Sequence, residues 1–481
     1  MNCKRIYFVN SLLIISAFVF LISCKNEIQL FTQLSSSQTN IHFVNRLTEH
    51  DSLNILDYLY FYNGGGVAVG DINGDGLSDI YFTANSKGHN KLYLNKGHLK
   101  FEDITARAHV AGNADWCSGV TMADVNGDGL LDIYVCAVSE KLGLKGHNEL
   151  FINNGNLTFT ESAAAYGLDF SGYSMQAVFF DYDHDGDLDC YLLNQSSHSV
   201  QTYGDTSIRR KINPFSGDKL FRNDLITPSA GAGKPDSHTA MGGRGKAEFT
   251  DVSAQSGIYQ SALGYGLGVA VADLNNDGWE DIYVGNDFHE NDYYYINNHD
   301  GTFTESGAKH FNHYSRFSMG NDIADYNNDG QLDIMTADML PGDEKVLKTY
   351  GSDEQPDIYN YKIVENGYQN QYSRNCLQRN MGNGVCFSDV GLISGIAATD
   401  WSWSPLLADF DNDGIKDLFV ANGIVKRMSD LDYIKFISSR EVQKTINQTK
   451  QFDKTILNNI PSGKVHNYIF KGNADERFTD E

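Results

Sequence analysis

Proline is scarce in this 481-residue chain, with 7 against 46 glycines, which excludes a proline-rich linker or stalk architecture. Cysteine is as rare. Beyond Cys3 and Cys24 only Cys117, Cys136, Cys190, Cys376 and Cys386 remain, an odd number that leaves at least one thiol free and excludes a disulfide-built scaffold. Cys376 with Cys386 across a hairpin and Cys117 with Cys136 on adjoining strands are the pairings to weigh against plain burial of small residues. Positive charge is also in deficit. The chain has 37 Lys and Arg against 62 Asp and Glu, a net charge of -25, which argues against nucleic acid as a partner because phosphate binding needs clustered basic residues. After residue 24 no stretch is long and apolar enough to span a bilayer. Catalytic signatures are missing too: there is no HExxH and no GxSxG, and GGRGK from Gly242 lacks the spacing and the Ser or Thr of a phosphate loop. The chain is therefore expected not to be an enzyme, although carboxylates brought together by folding leave a polysaccharide-processing role open.

What is present begins at the N-terminus. Residues 1–23 carry Lys4 and Arg5, then an apolar run from Ile6 to Ile22, and read as a secretory signal peptide; an uncleaved anchor is the alternative. The run Leu21-Ile22-Ser23-Cys24 resembles the bacterial lipobox, which implies cleavage before Cys24 and lipidation of that residue. Lys25 in place of Asp implies, by the same resemblance, sorting to the outer membrane with the protein held there through its lipid. The serine-rich residues 24–40 would form the lipidated N-terminus and tether, and 41–481 the folded body.

That body is organised by a nine-residue pattern, D-x-[DN]-x-D-G-x-x-D, which occurs six times. Its alternate positions supply hard oxygen donors at the spacing a short loop needs to surround a divalent cation, and calcium is the expected ion. The candidate ligands are Asp71, Asn73, Asp75 and Asp79 in the first loop, and Asp124, Asn126, Asp128 and Asp132 in the second. Asp181, Asp183, Asp185 and Asp189 follow in the third, then Asp273, Asn275, Asp277 and Asp281 in the fourth. The last two loops offer Asp325, Asn327, Asp329 and Asp333, then Asp409, Asp411, Asp413 and Asp417. An EF-hand is excluded: its twelfth position requires a carboxylate, and here that position is Phe82, Val135, Leu192, Val284, Thr336 or Val420. These residues belong to β-branched and aromatic runs such as DIYF and DIYV, so each loop is expected to join two strands. The ion would offset the repulsion of three or four carboxylates per loop, so a calcium-dependent stability is expected.

Each loop is followed by an Asn- and Gly-rich hairpin signal, KLYLNKG from Lys91 being the first, and then by a strand such as FEDIT or FTES. Four short strands per repeat are the content of one β-propeller blade, so the expected class is all-β, a propeller of six or seven four-stranded blades. Loop-to-loop spacings of 53, 57, 92, 52 and 84 residues place insertions at about 194–247 and 338–375. If FTQL from Phe31 is the opening strand, six units are complete and NYIFKGNADERFTDE from Asn467 starts a seventh, as in a fragment of a longer protein or a closing strand. Two departures stand out: Gln176 where most copies have Gly, and Ser404-Pro405 in a stretch otherwise reading as strand.

The run GVAVGDINGDGLSDIY from Gly66 resembles the FG-GAP or VCBS repeat of the integrin alpha-subunit propeller and of bacterial surface proteins. The hairpin and the segment DWSWSPLLADFDNDG from Asp400 resemble the bacterial relatives of the cartilage acidic protein family. That resemblance implies a calcium-loaded propeller with an extracellular adhesion role. The expected partner is a surface glycan or protein; a structural place in an outer-membrane assembly is the alternative. Eight residues before each loop stand Trp116, Tyr173, Tyr265, Phe317 and Trp401, with Asn63 in the first repeat. Equivalent positions in a propeller form a ring, so these aromatics are a candidate ligand surface, or else packing between blades.

Overall fold

Strands flank every loop, as the β-branched and aromatic runs require. In the first repeat Val67–Gly70 enters the loop and Asp79–Phe82 leaves it, with Gly70 opposite Asp79. Lys91–Asn95 and Phe101–Asp103 complete an antiparallel sheet whose strands lie in chain order. The same four-stranded sheet forms six times, so the protein is a six-bladed propeller. This arrangement comes from a computed structural model, which describes residues 31–50, 52–196, 206–224, 248–351, 359–449 and 454–481. The signal peptide and Cys24 lie outside those residues.

Two expectations about blade count are corrected. The chain divides into two compact units, 1–35 and 36–481, and residues 31–34 carry no strand; the first strand starts at Val67. At the other end, Tyr468–Gly472 and Phe478–Asp480 do not start a seventh blade. The first pairs with Asp417–Asn422, the second pairs with the first, and together they finish the sixth. Their distance in sequence arises because residues 423–467 form an insertion containing helices α1 (Leu431–Ile437), α2 (Arg440–Thr449) and α3 (Lys454–Asn458). Among the described residues no helix is long and apolar enough to cross a membrane.

The blades pack face to face in chain order. Tyr81, Leu92 and Leu94 of blade one meet Val120, Ile133 and Val135 of blade two in one apolar core, and equivalent cores join each later pair through to blades five and six. The inner strands approach so closely that a Cβ on Gly66 would lie 2.8 Å from the carbonyl oxygen of Ser118, and one on Gly119 2.3 Å from that of Met175. The terminal blades each leave one face less covered: Val67 and Val69 are 58% and 60% exposed, and Leu406 of blade six is 48% exposed. Ser404, at the place held by Gly66 in blade one, is exposed, so no glycine is needed there. Pro405 sits in the inner strand beside a register shift, where that strand is a sheet edge and a missing donor is tolerated. Gln176 likewise lies next to a register shift in blade three.

The five cysteines among the described residues are free. Cys117 and Cys136 belong to different interblade cores, and Cys376 cannot reach Cys386 because the hairpin register sets Gln378 opposite Asp389 while Met381 bonds to Cys386.

A second repeated device closes each blade between its second and third strands. Before the third strand stands Asn90, Asn148, Asp218, Asp292, Asn375 or Asn467, whose side-chain oxygen accepts the backbone N–H of Ala84, Ala137, Asn194, Asn286, Asp338 or Asn422 at 2.7–2.9 Å. Blades two and three show the choice between amide and acid. Asn148 donates to the Tyr134 hydroxyl at 3.0 Å, whereas Asp218 accepts from the Tyr191 hydroxyl at 2.9 Å. Burial pushes the Asp218 carboxyl up to about 7. A carboxyl raised in the fold stabilises it while protonated, and that contribution is lost as pH rises from the unfolded value of 3.8 through about 7. Asp218→Asn, which reproduces the arrangement of blade two, is expected to raise the melting temperature at pH 8, by at most about 4 kcal/mol of stability. The gain should vanish near pH 4, and thermal melts of both proteins between pH 4 and 8 check it.

Candidate functional site

Within each loop the first aspartate organises the turn. One of its oxygens accepts the backbone N–H of the fifth residue and the other that of the sixth, the latter at 2.7–3.1 Å in all six copies. The sixth residue is glycine because its φ lies between 81° and 97° with nothing near the place a Cβ would take, so the requirement is conformational. The fourth residue is also left-handed, and is Gly74, Gly127, His184, Asn276, Asn328 or Asn412. The repeated Gly or Asn was the signal for this; His184 departs from it and stacks on Trp279 at 3.8 Å.

The ninth aspartate has a different task. Asp79, Asp132, Asp189, Asp281, Asp333 and Asp417 are all buried, and one oxygen of each accepts a backbone N–H from the third strand at 2.7–3.0 Å. In five loops the other oxygen accepts the N–H of the loop's second residue. In the fourth it accepts the Tyr294 hydroxyl instead. Burial pushes the carboxyls of Asp132, Asp281 and Asp333 up to about 7 and that of Asp189 to about 8.

The donor sets fit a hard divalent cation. Ligand atoms of Asp181, Asp183 and Asp189 lie within 4.8 Å of one another, as do those of Asp409, Asp411 and Asp417, and Asp183 Oδ1 is buried with no hydrogen-bond partner among the described residues. The loops are not equivalent, however. On the third strand the residue beside each loop is Leu94, Ile152 or Ile296 in blades one, two and four, but Arg222, Arg379 or Lys471 in the others. Lys471 bonds to Asp411 and, at 2.9 Å, to Asp413; Arg379 reaches Asp329 at 3.3 Å. An ammonium or guanidinium there stands in for part of a cation's charge. His313, Cys376 and Asp389 also converge, but Arg374 binds both His313 and Asp389 and already balances that carboxylate.

At the opposite end of the inner strands lie the aromatics. The structure gathers them on one face in two adjoining clusters that share Tyr62, Leu267 and Phe288. They do not form an open ring. Tyr58 and Phe61 cover Trp116 with ring centroids 5.6 and 5.5 Å away, Tyr60 packs on Tyr265, and Phe215 stacks on Tyr173. Except for Phe215, the cover comes from residues ahead of the first blade: Tyr60 donates to Asp287 at 3.2 Å and Tyr58 accepts from Gln195 at 2.6 Å. Phe317 and Trp401 differ. Both line a recess of about 480 Å³, together with Asn63 and several residues the pattern did not mark, among them Phe288, Trp403, Tyr350 and Ser429. The doubled Trp of WSW was the one available signal; Tyr350 and Ser429 come from insertions with no repeat to align them.

Fold and loops define an FG-GAP-like repeat propeller. The FG-GAP-like repeat model matches residues 71–135, 137–192, 273–336 and 352–420, more than half of the chain, and the protein belongs to that family. A stretch of 142 residues is 32% identical to cartilage acidic protein 1 of Xenopus tropicalis, covering 28% of this chain and 20% of that protein. The match thus spans about a fifth of that relative. Solved structures with a similar course include an Agrocybe aegerita lectin specific for non-reducing terminal N-acetylglucosamine, with TM-score 0.38, 15% identity, and coverage of 74% of this chain and 73% of the lectin. The V. cholerae biofilm matrix protein Bap1 gives a TM-score of 0.29 at 12% identity, with 76% and 75% covered.

If the loops take calcium, the internal cations should set their order of filling. In a calcium titration followed by native mass spectrometry, the last ions to bind should be those of the fifth and sixth loops. Lys471→Met is expected to lower the concentration at which the final ion binds severalfold, and an unchanged titration would refute competition by the ammonium.

Proposed function

We propose that this protein is a calcium-stabilised binding module of the cell envelope, anchored in the outer membrane through lipid on Cys24 and engaging a surface glycan or protein with its aromatic face. The observation that carries the reading is the recess lined by Phe317 and Trp401, a concavity with aromatic walls and few polar groups on a rigid repeat scaffold. Its size lies within the range of small-ligand sites, roughly 300–1,000 Å³. Calcium in the six loops would hold the blades without taking part in recognition, since loops and recess occupy opposite ends of the inner strands.

A structural place in a larger envelope assembly is the second reading. The apolar exposure of Val67, Val69 and Leu406 on the terminal blades favours it. A polysaccharide-processing enzyme on this scaffold is the third, and turnover of a glycan by the purified protein would establish it.

The reading predicts two linked outcomes. Chelation should lower the melting temperature by 10 °C or more in order of magnitude, since several loops lose their counter-charge together. Retention on an immobilised envelope polysaccharide should persist in calcium and fall when Trp401→Ala opens the recess wall. Retention unchanged by that substitution, or co-purification of one defined outer-membrane protein through the terminal blades, would move the function to the second reading.

A further inference from the structure

The recess beside Trp401 carries polar atoms that the fold leaves unused. Trp401 is 8% exposed, and its Nε1 is buried with no hydrogen-bond partner among the described residues. Its neighbour Trp403, with ring centroid 6.3 Å away, has no such need, because its Nε1 donates to the Gly423 carbonyl at 2.7 Å. Asn63 Oδ1 and Ser429 Oγ are likewise buried without partners, and both residues line the same recess. An orphaned donor, acceptor and hydroxyl on residues that line one recess are each costly unless something else pairs with them, about 1–3 kcal/mol apiece.

The walls restrict what that partner is. Phe288, Phe317, Trp401 and Trp403 present aromatic surface, which suits a ligand with flat C–H faces. A purely apolar ligand would leave the three polar atoms unpaired. Burial holds the carboxyl of Asp287, which also lines the recess, well above the usual carboxylate range, so this wall disfavours an anionic ligand. A ring bearing hydroxyls satisfies all the demands at once, since each hydroxyl both donates and accepts and the C–H faces stack on the indoles.

We propose that this recess binds a single neutral pyranose unit, stacked against Trp401 and Trp403 and hydrogen-bonded to Trp401 Nε1, Asn63 Oδ1 and Ser429 Oγ. The inference rests on the binding-module reading and assigns its ligand class. It also explains the first repeat's departure from the aromatic pattern. Asn63, where the other repeats carry Trp, Tyr or Phe, supplies the polar contact opposite the indole.

The test titrates the full chain, loaded with calcium, with glucose, galactose, mannose and N-acetylglucosamine, following tryptophan fluorescence and calorimetry. At least one sugar is expected to bind with one-to-one stoichiometry. Trp401→Phe keeps an aromatic wall and removes only the N–H, so it should weaken that binding roughly tenfold with an unchanged melting temperature. Ser429→Ala serves as the second probe if that variant folds poorly, and Trp279→Phe, stacked between His184 and His299 on the loop face, should bind like the parent. Two results would overturn the proposal: no sugar binding to the folded protein, or binding indifferent to both Trp401→Phe and Ser429→Ala. Retention on polysaccharide without monosaccharide binding would overturn the recess assignment alone, whereas loss of both would take the binding-module reading with it.

Discussion

The buried carboxylate at the ninth position of each loop is the constraint on which the propeller depends. It joins a turn that must be polar to strands that must be buried, because one oxygen serves the third strand and the other serves the loop itself or, in blade four, a tyrosine. The strand residue it meets is Asn95, Asn153, Asn223, Asn297 or Asn380 in five blades, and the amide of that asparagine continues the connection. Asn153 donates to the Leu131 carbonyl of its own blade and to the Ile72 carbonyl in the loop of blade one, the latter at 2.8 Å. Asn223, Asn297 and Asn380 repeat the reach to the preceding blade. Blade six has Gly472 instead, where a Cβ would lie 2.1 Å from the Lys416 carbonyl oxygen. One polar chain thus runs from blade to blade, inside an otherwise apolar stack, and satisfies groups whose burial would be destabilising.

Because this network sits at the loop end of the blades, the other end is free to vary. Insertions use that freedom. Arg209, in the first, pairs with the buried Glu290 of blade four, and Gln371, in the second, donates to the Glu290 carbonyl. The third insertion, between the second and third strands of blade six, brings Tyr433, Leu457 and Ile460 onto the aromatic cluster, and Glu49 ahead of the first blade pairs with Lys426. The axial face is thereby built from chain segments that no single repeat encodes.

The loops, the four strands of each blade and the hairpin asparagines were legible in the sequence because their determinants are local. A left-handed glycine, alternating oxygen donors and a β-branched run are set within about a dozen residues, so all six copies share one local pattern. The blade count was harder to read. FTQL has the composition of a strand but belongs to none, and the final hairpin is separated from its blade by 45 residues of insertion. The internal cations Arg379 and Lys471 were equally hidden, since only pairing register brings a third-strand residue over a loop some 50 to 60 residues away.

The aromatic positions draw the line most sharply. Their common offset from the loops follows from repeat periodicity, which fixes that five aromatic residues stand at equivalent ends of inner strands. Whether a ring is open or covered depends on segments that meet it only after folding, as when Tyr60 crosses to Asp287, 227 residues away. Periodic local chemistry therefore specified the scaffold and its oxygen-rich loops. Non-local burial, which charges every unpaired polar group and rewards every covered ring, decided which aromatics became core and left Trp401 on the wall of a recess.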